Sequence, residues 1–161
     1  MNVTVDLQND CPQHWVPDAA DMALWINSAN QAIDRQSVQG KQMNVSVRVV
    51  CEQDSAALNS EYRGKDYPTN VLSFASELPE SMSELIDYTP LGDIAICAPI
   101  VEAEAQQQGK ILVAHWAHLL THGFLHLSGY EHDEESDAQT MEALEIDVLH
   151  RLGFPDPYLI N

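Results

Sequence analysis

Near the start of the chain Val3, Val5 and Leu7 alternate with polar neighbours, a two-residue repeat that predicts a half-buried strand ended by Asn9-Asp10. The period then lengthens. Pro17-Asp18 opens a helix whose apolar positions, Met22, Trp25, Ile26, Ala29 and Ile33, follow the 3.6-residue repeat of an amphipathic helix, and Gly40 closes that region. Alternation returns from Met43 to Cys51, with Val45, Val47 and Val49 on one face. A short helix is expected from Ser55 to Tyr62, broken by Arg63-Gly64-Lys65-Asp66.

The second half follows the same logic. Val71 to Phe74 predicts a third strand and Asp93 to Cys97 a fourth, with the acidic, Pro- and Ser-containing stretch from Glu77 to Pro90 as a surface loop between them. Pro99 suits the start of a helix through Glu102, Ala105 and Gln108 that Gly109 closes. A longer apolar helix follows from about Ile111 to Leu127. The last helix begins in Asp133-Glu134-Glu135-Ser136-Asp137, where negative charge favours a helix start, and ends near Arg151-Leu152-Gly153. Its buried stripe is expected to be Met141, Leu144, Val148 and Leu152. No repeat or linker interrupts this order. The expected fold is α+β, close to α/β: one domain over residues 1–161, with a small four-stranded sheet flanked by about five helices.

Composition narrows the function classes. Asp and Glu number 25 against 7 Lys and Arg, a formal charge of -18 that argues against a general nucleic-acid binder and against DNA as a partner. A polyanionic substrate must then be met by a small local basic site. No apolar run approaches the length of a membrane span, and the opening MNVTVDLQND has neither the basic flank nor the apolar core of a secretory signal, so a cytoplasmic protein is expected. Cys11, Cys51 and Cys97 lie far apart with no C-x-x-C pair, which suits inert thiols in a reducing compartment.

The chemistry concentrates in THGFLHLSGYEHD, residues 121–133, which holds three of the seven histidines. On a helix, His122 and His126 are offset by about 6 Å along the axis and about 40° around it, so both imidazoles can reach one ion. Gly129 is able to turn the chain back and bring His132 to the same ion. Three neutral imidazoles with an open fourth position describe a catalytic zinc site, although nickel, copper and cobalt suit the same donors. His115 shares the helical face of His122 but stands about 10 Å earlier along the axis, too far for a shared ion, and is expected to face substrate or support the site from behind. His118 reads as a hydrogen-bonded core histidine.

The spacing H-x-x-x-H-x-x-G-x-x-H also matches the metzincin proteases, which carry a general-base Glu directly after the first His. Gly123 occupies that slot, which counts against peptide hydrolysis.

The segment HGFLHLSGYEH resembles the signature of the YbeY family of bacterial endoribonucleases, also called ribosomal RNA maturation factors, whose pattern is close to H-G-x-L-H-L-x-G-Y-D-H. Residues 62–74 (YRGKDYPTNVLSF), 91–94 (LGDI), 115–118 (HWAH) and 152–158 (LGFPDPY) resemble the same family, in order, from about residue 45 to the end. Glu131 stands where the family has Asp, and Ala75 where it often has Pro.

The resemblance implies a mixed sheet, a zinc ion on His122, His126 and His132, and cleavage of single-stranded RNA in ribosomal RNA processing and ribosome quality control. It implies the ribosomal small subunit and the assembly GTPase Era as partners, and it makes Arg63 the functional arginine. Residue chemistry agrees that Arg63, close to Lys65, can grip a phosphate bidentately, while a solvent-facing arginine paired with Asp66 or Glu61 explains it equally well. Arg63 and His115 are the candidate catalytic residues. A zinc hydrolase of another substrate, and a non-catalytic assembly factor with a structural metal, remain open.

Overall fold

The computed structural model describes residues 2–33, 42–77, 82 and 85–159. Four strands, β1 (Val3–Asn9), β2 (Gln42–Val50), β3 (Val71–Ala75) and β4 (Tyr88–Cys97), form one sheet in the order β1-β2-β4-β3. The pairs β1/β2 and β2/β4 are parallel, and β3 runs antiparallel to β4 at the edge. Five helices accompany the sheet among the described residues: α1 (Ala19–Ala32), α2 (Glu52–Arg63), α3 (Ala98–Gln108), α4 (Leu112–Leu127) and α5 (Glu135–Arg151). The expected α+β class with a mixed four-stranded sheet is therefore observed.

Alternation decides what each face of the sheet meets. Val45, Val47 and Val49 of β2 and Ile94 and Ile96 of β4 are buried within the core that also takes in Met22, Trp25, Ile26 and Ala29 of α1 and Trp116, Leu120 and Phe124 of α4. The opposite face carries Asn44, Ser46, Arg48 and Asp93. With Tyr62 of α2 and Phe74 of β3, these line an open cavity of about 1200 Å³. On the far side, α5 adds Met141, Val148 and Leu149 to the buried set.

Boundaries moved where local chemistry overrode periodicity. Asp18 caps α1 by accepting from the Asp21 N–H at 2.8 Å, and Ile33 falls just beyond the helix at its C-cap. The helix α2 starts earlier than expected, at Glu52, because its buried contacts are polar. Ser55 Oγ donates to the Thr69 carbonyl at 2.8 Å and Asn59 Nδ2 to the Tyr67 carbonyl at 2.8 Å, which binds the helix to the segment before β3. Arg63 is its last helical residue and not part of a loop, with the chain closed by the Gly64 N–H donating to the Ser60 carbonyl.

The strand β4 starts at Tyr88, so the expected loop is shorter. Pro90 was expected in the loop and the strand only from Asp93, yet a register shift beside Leu91 lets Pro90 and Gly92 both stay in the strand. Gly40, and much of the loop between β3 and β4, lie outside the described residues.

The cysteine expectation is also corrected. Cys11 and Cys51 are joined in a disulfide, while Cys97 is a buried free thiol. The parallel register explains the pairing: Asn9 lies opposite Val49, so the residues two further along each chain are brought together.

Candidate metal centre

The helix α4 is apolar on most of its circumference and is buried from His115 to Thr121. Its C-terminal turn emerges at the domain edge, and there the histidines gather. The turn closes through Gly129 at φ 98°, a conformation that a side chain resists, with its N–H donating to the His126 carbonyl and that of Tyr130 to the Leu125 carbonyl. The chain returns and sets His132 beside the helix. Ligand nitrogens of His122, His126 and His132 all lie within 4.8 Å of one another.

Hydrogen bonds fix how two of these rings present themselves. His122 Nδ1 donates to Glu145 Oε1 at 2.8 Å, and His126 Nδ1 donates to the Tyr130 carbonyl at 2.9 Å. A carbonyl only accepts, and so does an ionised carboxylate, so each neutral ring carries its proton on Nδ1 and leaves Nε2 bare. Those two bare Nε2 atoms face each other at 3.1 Å. Two lone pairs at that distance repel unless something positive lies between them, and two nitrogens on one tetrahedral zinc stand about 3.3 Å apart at ordinary bond lengths. The donor set therefore fits a transition-metal cation. Burial, then the neighbouring His122 and His132, push the His126 pKa down, which favours the neutral, ligating form.

Glu145 is the residue that sequence reasoning missed. It is fully buried on α5 and receives His118 Nε2 at 3.1 Å as well as His122 on Oε1, while the Tyr158 hydroxyl donates to Oε2 at 2.5 Å. Burial pushes its carboxyl pKa up, but the bonds from His118, His122 and Tyr158 outweigh this and hold it down at about 2. A carboxylate inside the stripe of Met141 and Val148 was the available signal. His118 is, as expected, a hydrogen-bonded core histidine.

Of the two places expected for His115, facing substrate or supporting the site from behind, its burial speaks against the first. It is 3 % exposed, and its Nε2 contacts Glu104 Oε1 at 3.0 Å, a carboxylate that Asn70 Nδ2 also approaches at 3.1 Å. The ring braces α4 against α3 and the start of β3, and no face of it is open to a substrate. Extrapolation along the helical face failed because α3 covers there what stays open one turn past His118. The carboxylate of Glu131, which stands where the family has Asp, lies 3.7 Å from His126 Nδ1 and is largely exposed, so the backbone of Tyr130 does the orienting.

Arg63 is exposed and has no ion pair among the described residues, neither with Asp66 nor with Glu61. Asp66 instead accepts from Ser60 Oγ at 3.0 Å. Contacts connect the end of α2 to the end of α4. The Tyr62 ring lies 4.7 Å from that of Phe74, and at Gly92 an added Cβ would meet both the Phe74 carbonyl and, at 2.8 Å, Leu127 Cδ2. These contacts belong to Tyr62 and Leu127, the chain neighbours of Arg63 and His126, and no hydrogen bond or ion pair among the described residues joins Arg63 to the three imidazoles.

Gly123 packs on Ser73 and Ile94, so the slot after the first ligand points at the sheet and away from the other imidazoles. A side chain there has no path to the metal centre.

A small α+β fold with three imidazoles converging from a helix and its following turn belongs to the class of proteins whose residues could hold a metal ion. The family model described as Endoribonuclease YbeY matches residues 7–153. Proteins named Endoribonuclease YbeY from Alcanivorax borkumensis and Nitrosococcus oceani are 48% and 45% identical over 157 and 158 residues, covering 96% and 98% of this chain and 86% and 98% of theirs. The protein of that name from Xanthomonas euvesicatoria is 46% identical over 91% of this chain and 88% of its own. The solution structure of a Thermotoga maritima protein shares the fold, with a TM-score of 0.52 at 21% identity over 98% of this chain and 99% of that one. The chain belongs to the YbeY family.

Proposed function

We propose that this protein is an endoribonuclease of ribosomal RNA processing that cuts single-stranded RNA at a zinc centre formed by His122, His126 and His132, with the whole chain acting as one domain. The observation that carries the metal reading is the pair of bare Nε2 atoms 3.1 Å apart, held by outward Nδ1 bonds. The names of the family and its relatives support the substrate class.

An ion bound there supplies Lewis-acid polarisation of a phosphoryl oxygen and makes water acidic enough to be a nucleophile near neutral pH. The protein's own residues supply the rest. Glu145 and the Tyr130 carbonyl hold the two helical imidazoles in their ligating tautomers. Arg63, on the closed end of α2, offers a planar pair of N–H donors to a phosphate and stabilises charge as it builds in the transition state. His115 is buried and takes no part at the phosphate.

Maturation of the 3′ end of the small-subunit RNA, ribosome quality control, a cytoplasmic location, and the small subunit and the GTPase Era as partners complete the proposal. Family membership supports these readings, and Gly123 counts against the peptidase alternative. No helix among the described residues is long and apolar enough to cross a membrane.

The test is cleavage of a single-stranded RNA by nuclease-free protein, with and without chelator and with zinc restored. Cleavage is expected to vanish and return, and Arg63→Ala is expected to lose on the order of a hundredfold in rate with its metal still bound. Cleavage indifferent to the chelator would refute the metal's role, and an undiminished Arg63→Ala would refute the arginine's.

A further inference from the structure

We infer that Glu145 is a positioning residue for the metal centre, setting the tautomer and direction of His122, and that Tyr158 couples the closing segment of the chain to that centre through Glu145. This rests on the reading of the three histidines as a metal site. It assigns a role to a buried carboxylate and a tyrosine that contribute no ligand themselves.

The geometry argues for a built arrangement. A carboxylate deep in a helix stripe costs several kcal/mol unless its lone pairs are met, and an apolar residue of similar size would fill the same space more cheaply. Glu145 is 0% exposed, and His118, His122 and Tyr158 meet its two oxygens. Oε1 accepts the hydrogen bond of His122 Nδ1–H at 2.8 Å, which leaves Nε2 free toward His126. His118 at 3.1 Å on the same oxygen and Tyr158 at 2.5 Å on the other pin the carboxylate from both sides, so it cannot follow His122 away from the site. An imidazole backed by a carboxylate is also a more basic ligand, and removing such a partner elsewhere costs metal affinity.

Tyr158 comes from beyond α5, and its own position is determined. Its N–H donates to Asp156 Oδ1 at 2.8 Å, and its ring lies edge-on to His118 at 5.4 Å. Upstream, the Phe154 N–H donates to the Leu149 carbonyl, and the Phe154 ring meets Trp25 of α1. Residues 154–158 are thereby fastened to the core by contacts of their own, and they bring the Tyr158 hydroxyl to Glu145.

The test compares wild type, Glu145→Gln, Tyr158→Phe and His126→Ala, each stripped of metal. Zinc affinity is measured by competition with a chromophoric chelator, cobalt(II) absorption reports ligand geometry, and thermal melting of the metal-free forms reports fold. Glu145→Gln is expected to bind zinc roughly 10- to 100-fold more weakly with an altered cobalt spectrum, and Tyr158→Phe roughly three- to tenfold more weakly.

A Glu145→Gln chain that folds, binds zinc as wild type does and keeps its cobalt spectrum overturns the inference. So does a fall in affinity that merely follows lost melting temperature while the spectrum stays unchanged, since that marks a structural role only. If Glu145→Gln does not fold, Tyr158→Phe decides: wild-type affinity and spectrum overturn the inference, and weakened binding supports it. Wild type without stoichiometric zinc, or His126→Ala with as much as wild type, overturns the metal reading and this inference with it. Failure of the variants beside a normal wild type overturns the inference alone.

Discussion

Replacing Gly123 by Ala sets two effects of similar size against each other, and the structure decides between them. In an unconstrained helix interior the change stabilises by about 1 kcal/mol, through helix propensity and a less flexible unfolded chain. Here the new methyl would lie 3.1 Å from Ser73 Oγ and 3.2 Å and 3.4 Å from two carbons of Ile94, where contacts settle at about 3.5–4.0 Å. Neither neighbour yields cheaply. Ile94 is fully buried in the middle of the sheet, and Ser73 Oγ is held at 2.9 Å by its bond to the Gly123 carbonyl itself.

Overpacking of this kind costs about 1–3 kcal/mol, so the net effect is a destabilisation of about 1 kcal/mol. For a chain of this size that lowers the melting temperature by about 2–4 °C. The assay is thermal denaturation of metal-free protein, repeated with zinc, because any lift of α4 off the sheet also moves His122 and His126. A variant that melts higher than wild type would refute the close-approach argument. Gly123→Glu makes the larger point: its carboxylate would be driven between Ser73 and Ile94, so the expected outcome is a misfolded chain and not a peptidase.

Three further outcomes follow from the same geometry. Glu145 has its carboxyl held at about 2 against an ordinary 4.5, so its contribution, roughly 3 kcal/mol, is present above pH 4.5 and is lost as pH falls toward 2. Denaturant midpoints of the metal-free protein across that window should drop with pH, and an equally steep drop in Glu145→Gln would contradict the assignment. Reducing Cys11–Cys51, which closes a 40-residue separation, should cost up to about 4 kcal/mol by loop entropy, read as a lower denaturant midpoint in reductant; an oxidised sample that titrates three free thiols would show that the pair does not form. Arg63 and Lys65 stand exposed together, whereas Arg48 is tied to Asp10 and Asp54 and Arg151 to Asp147, so two phosphate contacts are expected and log affinity for single-stranded RNA should fall against log salt with a slope of about -1.4. A slope steeper than about -4 would place the binding surface elsewhere.

Much of the fold was legible because its sheet face and its helices obey simple periods. Val45, Val47 and Val49 announce one buried face, and Met22, Trp25, Ile26 and Ala29 announce one stripe. What could not be read were features set by pairing between distant segments. The Cys11–Cys51 contact follows from the parallel register of Asn9 with Val49, and nothing local in either strand specifies that register. The early start of β4 depends on a bulge that lets Pro90 and Gly92 stay in the sheet, where composition alone says loop.

The candidate site divides along the same line. His122, His126 and His132 were legible because a helix and one glycine turn fix their relation within eleven residues. Whether His115 faces substrate was out of reach of the sequence because helical phase tells which way a side chain points and not what another helix has placed there; α3, carrying Glu104, is that obstruction. Glu145 was missed because a polar residue in an apolar stripe is ordinarily an imperfection of the pattern, and only the partner across the helix interface gives it meaning. The partner is itself a charge-neutral ring that needs its proton on Nδ1 to offer Nε2 outward. A carboxylate that meets His118, His122 and Tyr158 together costs less than a carboxylate buried alone, and it removes the freedom of His122 to adopt the other tautomer. The defect in the hydrophobic pattern of α5 is thus the physical complement of the histidine pattern of α4, each explaining a residue type that the other's helix would not choose for packing alone.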